Sequence, residues 1–212
     1  MRPKATKGAC TLCGKEYTRS GMGKHLASCL MKNPAESNED DQRFSLHLQV
    51  ATRYPTGYWL HLLVDERTSF KTLDTFLRKL WLECCGHMSQ FFVGQQTIGM
   101  QGQLGMSLRS GDEIDYDYDM GDTTELRIKV LGEYPGLTSS GKSITILARN
   151  QPPEIPCDVC EKRPAVCICP ACTWDGEGWL CRKCATGHSC GDEDEYLPIP
   201  NSPRAGVCGY TG

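Results

Sequence analysis

From Phe44 to Ala51 apolar and polar positions alternate, with Phe44, Leu46, Leu48 and Val50 set against Ser45, His47, Gln49 and Ala51. A period of two puts the two sets on opposite faces of a strand, so this segment reads as a half-buried strand. Tyr54-Pro55-Thr56-Gly57 is a turn by composition. Tyr58 to Val64 is more continuously apolar, broken only by His61, as in a central strand. After Ser69 the period changes. Leu73, Phe76, Leu77, Leu80 and Cys84 recur at three- and four-residue steps, which predicts a helix capped by Ser69 and ended near Gly86. That phase makes Cys84 a core residue, and it leaves Cys85 and His87 with no partner visible in the sequence. Phe91 to Ile98 predicts a further strand. Leu126, Ile128 and Val130 predict the second arm of a hairpin across Gly121-Asp122, and Ile144, Ile146 and Leu147 close the sheet. The pattern predicts an α+β domain, with one main helix on an antiparallel or mixed sheet.

This domain spans 43–150. Before it, 34–42 is an acidic linker with four acids and no base. After it, QPPEIP interrupts the chain with three prolines. The remaining pieces, 1–33 and 151–212, hold most of the 14 cysteines: three in the first and nine in the second. No apolar run approaches the roughly 20 residues of a membrane span, and no membrane partner is expected. MRPKATKGACTLC has no apolar leader segment. The expected compartment is therefore cytoplasmic, where thiols stay reduced and paired cysteines read as metal ligands rather than disulfides. No organic cofactor is implied.

In the first piece Cys10-x2-Cys13-x11-His25-x3-Cys29 has the spacing of a zinc finger. Tyr17 and Met22 stand where a ββα finger places its small core, so 1–33 resembles a finger of the Cys-Cys-His-Cys type with a helix near Gly21 to Met31. About 30 residues cannot bury a sufficient core, so metal should supply the folding energy. Seven Lys/Arg against one acid give this piece a charge of +6, within a chain of net charge −3. Lys15, Arg19 and Lys24 are candidates for nucleic-acid phosphates. Gly21 and Gly23 occupy positions where base-reading side chains are wanted, which disfavours sequence-specific reading.

In the last piece four pairs follow one another: Cys157/Cys160, Cys169/Cys172, Cys181/Cys184 and His188/Cys190. Pairing the first with the third and the second with the fourth gives a two-zinc, cross-brace-like domain that resembles RING and B-box domains in ligand order. With the finger this makes about three zinc ions. Cys167 and Cys208 are left over; Cys208 is either a substitute ligand or a free thiol. The Pro- and Gly-rich tail either wraps the zinc domain or is a disordered end.

GDEIDYDYDMGD, Gly111 to Asp122, places six acids in twelve positions. Three readings are open, one of them a basic partner that the acids meet. Asp117, Asp119 and Asp122 could supply oxygens to a hard cation. Alternatively the acids lie on an exposed ribbon beside Arg127 and Lys129, which share their side if Ile114, Tyr116 and Tyr118 point inward. Tyr118, Asp119, Gly121 and Asp122 within DYDYDMGDTTELRIKV resemble the signature of the plasmid pRiA ORF-three-like family, with Met120 where that family has Phe. The resemblance covers roughly 43–135. It implies an α+β fold and no secure activity. Some members are labelled as transposon-associated and recombinase-like, but the chain has no serine or tyrosine recombinase constellation. The function expected is binding or adaptor work with nucleic acid or protein as partner, rather than catalysis. The other reading is a divalent-metal-dependent enzyme on phosphate-containing substrates, using Asp117, Asp119 and Asp122.

Overall fold

A computed structural model describes residues 5–33, 43–54, 56–136, 142–190 and 195–212. The acidic linker and Pro55 of the expected turn lie outside the described residues. In chain order the first elements are β1 (Lys7–Ala9), β2 (Glu16–Thr18), α1 (Arg19–Lys32), β3 (Phe44–Thr52), β4 (Trp59–Asp65) and α2 (Phe70–Leu77). A π-helical turn (Arg78–Leu82) continues α2. Then come β5 (Ser89–Val93), β6 (Gln96–Ile98), α3 (Leu104–Ser107), β7 (Glu113–Tyr118), β8 (Thr124–Pro135) and β9 (Ile144–Arg149). The Cys-rich piece adds β10 (Cys167–Ile168), α4 (Pro170–Thr173), β11 (Trp179–Leu180), α5 (Arg182–Ala185) and β12 (Leu197–Pro198).

The fold is α+β. Seven strands form one sheet in the order β6-β5-β7-β8-β3-β4-β9, and every neighbouring pair is antiparallel. One face holds the main core. Leu46, Leu48 and Val50 of β3, Leu60, Leu62 and Val64 of β4, and Leu126, Ile128 and Val130 of β8 meet Phe70, Leu73 and Leu77 of α2 there. The Ser69 hydroxyl accepts the Thr72 N–H at 3.1 Å, the cap that the sequence predicts. The π-helical turn shifts the helical phase, so Trp81 and Leu82 are fully buried while Leu80 is only half-buried. Phe91 to Ile98 is not one strand. It folds back at Gly94, whose φ of 59° suits a tight turn, to make the hairpin β5–β6.

The other face of β3, β4 and β9 is covered too, which corrects the half-buried reading of β3. The N-terminal piece lies on it. Met22, Leu26, Cys29 and Leu30 of α1 pack with Ala51, Trp59, Leu63, Leu147 and Ala148. This explains why β4 is apolar on both sides. Two bulges shape the seat. His47 and Leu48 of β3 pair with Gly132 and Val130, which leaves Leu131 as an extra residue in β8. His61 and Leu62 of β4 pair with Ala148 and Ile146, which leaves Leu147 as an extra residue in β9. A bulge re-aims a side chain. Leu147 joins the buried seam, and Leu131 comes so near α1 that a Cβ on Gly23 would lie 3.1 Å from its Cδ1. Gly8 is closer still, since a Cβ there would lie 2.1 Å from the Arg149 carbonyl oxygen.

Two buried histidines stand between sheet and finger. His47 Nε2 and His61 Nδ1 are 2.9 Å apart, and His61 Nε2 lies 3.3 Å from the Arg19 carbonyl oxygen. Burial, with His61 alongside, lowers His47 to about 3, and burial lowers His61 to about 4. Both are neutral in the folded chain and take up protons when it unfolds. Their contribution to stability is therefore intact above the ordinary histidine value of about 6.5 and is lost as pH falls toward 4 and below. The unfolding free energy from urea titration should drop between pH 7 and pH 5, by up to about 1.4 kcal/mol per pH unit for each imidazole. A His61→Gln chain, compared with its own value at pH 7, should drop less. An equal drop in both chains would assign the acid sensitivity elsewhere.

Candidate metal centres

Fourteen cysteines are described, and none is in a disulfide. Most gather into sets. Cys10 and Cys13 sit on the turn between β1 and β2, and His25 and Cys29 lie one helical turn apart on α1; the four donors lie within 4.8 Å of one another. Cys10 Sγ and Cys29 Sγ are 3.9 Å apart, and Cys13 Sγ and His25 Nε2 are 3.2 Å apart. Tyr17 stacks on His25 with ring centroids 4.5 Å apart, the use that its position in a finger suggests. The turn has a definite shape. The Gly14 N–H donates to the Cys10 carbonyl at 2.8 Å, with Gly14 at φ 74°.

The same shape recurs at Cys157-x2-Cys160. The Glu161 N–H donates to the Cys157 carbonyl at 2.8 Å, and Glu161 takes φ 54° where the first turn has glycine. Cys157 and Cys160 meet Cys181 and Cys184 from the start of α5, with Cys160 Sγ and Cys181 Sγ 3.8 Å apart. Cys169 and Cys172 meet His188, with Cys172 Sγ 3.3 Å from His188 Nε2. Cys190 reaches the same place, its Sγ 3.2 Å from that of Cys172. The first pair thus joins the third, and the second joins His188 of the fourth, while Cys190 approaches Cys172 without entering the set whose donors all lie within 4.8 Å of one another. Cys167 stands outside these sets: it lies on β10, and its thiol points at the Leu180 carbonyl 3.7 Å away.

A disulfide would bring two sulfurs to about 2.05 Å. A tetrahedron with metal–sulfur bonds of about 2.3 Å has sulfur–sulfur edges of about 3.8 Å, and edges of about 3.5 Å to an imidazole nitrogen. Most of the separations above fit those edges. Crowded thiols also resist ionising together. The Cys184 backbone N–H holds Cys181 down at about 6, while burial and the neighbouring thiols push Cys184 up to about 12. A dication among them removes that conflict. The donor sets fit metal ions.

A further set was not legible from spacing: Cys84, Cys85 and His87 meet Cys208 from the tail. The tail does not simply wrap the Cys-rich piece. β12 pairs with β10, and the chain then returns to the central domain, where the Ser202 hydroxyl donates to the Trp81 carbonyl at 2.5 Å. Arg204 is fully buried there and pairs with Asp119. Only an Arg amid Pro and Gly in NSPRAG could have flagged it.

The acidic stretch is mostly the charged ribbon. Arg127 Nε lies 2.9 Å from Glu113 and 3.0 Å from Asp115, and Lys129 Nζ lies 2.5 Å from Glu113. Asp117 faces Glu125 across the strands; burial, with Glu125 and Asp115 alongside, holds its carboxyl above the ordinary value. Asp119 leaves the ribbon. At φ 66° it turns the chain, accepts the Gly121 N–H at 3.0 Å and meets Arg204. Among the described residues Asp117, Asp119 and Asp122 do not come together as donors to one ion. Lys15, Arg19 and Lys24 are all exposed on the N-terminal piece. Among the described residues no helix is long and apolar enough to cross a membrane.

The class defined by fold and site is thus an α+β protein carrying several Cys/His sets suited to metal. No protein-family model matches the chain, and no curated protein matches it. Among solved structures it is similar to a protein of unknown function, MM3350 from Methanosarcina mazei Go1, at 17% identity and a TM-score of 0.40, over 54% of this chain and 71% of that one.

Proposed function

We propose that the protein is a zinc-stapled, cytoplasmic binding protein whose N-terminal finger contacts the phosphates of a nucleic acid. Zinc suits sets of thiolate and imidazole donors with tetrahedral edges, and sets filled by four side chains leave no position open for substrate. The observation that carries the reading is the way α1 is used. Its apolar side is spent on the sheet, and Gly23 is held against Leu131, so that stretch of the helix does not enter a major groove. Lys15, Arg19 and Lys24 stay exposed on the same finger. Such a surface contacts backbone charge without reading bases. The central domain is proposed to belong with the plasmid pRiA ORF-three-like proteins. In support, Tyr118-Asp119-Met120-Gly121-Asp122 serves here as a turn, with Asp119 bonded to the Gly121 N–H.

Because the finger covers the sheet, deleting it would expose apolar surface, and point substitutions are the cleaner test. A chain with Lys15→Ala, Arg19→Ala and Lys24→Ala should bind nucleic acid at least about tenfold more weakly near physiological salt. Its log-affinity against log-salt slope should be smaller by about 2–3. Its circular dichroism should match the parent. Unchanged affinity and slope would remove nucleic acid as the finger's partner.

A further inference from the structure

Four donors reach one place from two distant parts of the chain. Cys84, Cys85 and His87 follow the π-helical turn, and Cys208 comes from the tail, 121 positions beyond His87. All four donor atoms lie within 4.8 Å of one another. Cys85 Sγ is 3.7 Å from Cys208 Sγ, and Cys208 Sγ is 3.5 Å from His87 Nε2. The first distance is far from the roughly 2.05 Å of a disulfide, and both match the tetrahedral edges of about 3.8 and 3.5 Å.

We propose that Cys84, Cys85, His87 and Cys208 hold a further zinc ion, and that this ion clasps the C-terminal tail to the central domain. The inference rests on reading the Cys/His sets as zinc sites. Local structure explains how adjacent cysteines can serve one ion. Helical geometry has ended by Glu83, at φ −67° and ψ 114°. The Glu83 carboxylate accepts the Gly86 N–H at 2.6 Å, and Gly86 turns at φ 76°. The two cysteines therefore sit in a tight turn, free of helix or strand phase. Cys208 has φ 52°, a region that a residue with a Cβ seldom adopts.

Charge supports the site. Three thiolates around a dication leave one negative charge. Arg204 Nη2 stands 3.7 Å from Cys84 Sγ, and its guanidinium is fully buried. The same guanidinium pairs with Asp119, whose carboxylate lies 3.6 Å from His87 Nε2. The Tyr118 hydroxyl lies 3.8 Å from Cys84 Sγ. A clasp also answers an energetic need. Residues 199–212 form no helix or strand, and an ion that closes so long a loop offsets the entropy of ordering them.

Native mass spectrometry of the full chain tests this with zinc as the probe. The parent should hold about four ions, and Cys208→Ser about three. His87→Ala should lose the same single ion, which guards against a fold defect peculiar to one variant. In both, the Arg204 amide, which donates to Ser202 Oγ at 2.9 Å, should exchange at least about tenfold faster, and strand amides should be unchanged. Equal zinc in parent and variants, or a Cys85–Cys208 disulfide in the purified parent, overturns the clasp while leaving the other sites standing. A parent with no zinc overturns the wider reading as well.

Discussion

Leu26→Ala should destabilise the protein by about 2–5 kcal/mol. Leu26 is fully buried, in the seam between α1 and the outer face of the sheet. An independent finger on a linker would put that loss in the finger alone and leave the sheet untouched. Here the seam includes Trp59 and Leu63 of β4 and Leu147 and Ala148 of β9, so the loss should appear in the unfolding of the sheet. Urea denaturation followed by tryptophan fluorescence reads it, because Trp59 is itself in the seam. Met31→Ala is the control. Met31 lies on the same helix but is 77% exposed, so its cost should stay within about 0.5 kcal/mol. Equal and small effects from both variants would mean that α1 does not rest on the sheet.

Removing metal should separate the molecule into parts that need it and a part that does not. The Cys-rich piece has little core: Cys169, Leu180 and Ala185 are its buried cluster, and one of these belongs to a Cys/His set. On the proposed zinc reading, apparent metal-binding energies of about 10–16 kcal/mol per structural site supply the order that so few apolar contacts do not. The central core around Leu48, Leu62, Phe70 and Trp81 has no cysteine among its buried residues, and Cys84 packs only at its edge. After chelation under reducing conditions, amide exchange should accelerate to nearly unprotected rates at Val166, Cys169 and Ala185. These amides donate to Leu180, Gly178 and Cys181 at 2.8, 2.8 and 2.9 Å in the folded piece. Protection should persist at Leu48 of β3. Full protection of the Cys-rich amides in metal-free protein would show that the cysteines are not its staples.

Much of the fold was legible because its signals are local. The inward set of β3, the helical phase from Ser69 to Leu77 and the inward set Leu126, Ile128 and Val130 all match the observed faces. The same holds for ligand pairs two to four residues apart on one turn or helix. What stayed hidden depends on distance along the chain. Nothing near β3 says that a helix 20 residues earlier covers its His47 face. The apolar outer positions of β4, Trp59 and Leu63, were the available hint. The π-helical turn broke the phase that had placed Cys84 in a helix, and its partner Cys208 is brought by the tail. The Phe91–Ile98 hairpin is marked in the sequence by Gly94 alone, within a run that otherwise reads as one strand. Asp119 matched a family signature by residue type, but its partner Arg204 lies 85 positions away.

A joint zinc and thiol count on protein purified without chelator tests the proposed zinc sites head-on. At least three zinc ions per chain are expected, with the clustered cysteines slow toward a thiol reagent until chelator is added and all of them reactive afterwards. A folded, zinc-free chain, or one whose cysteines are consumed in disulfides, would contradict it.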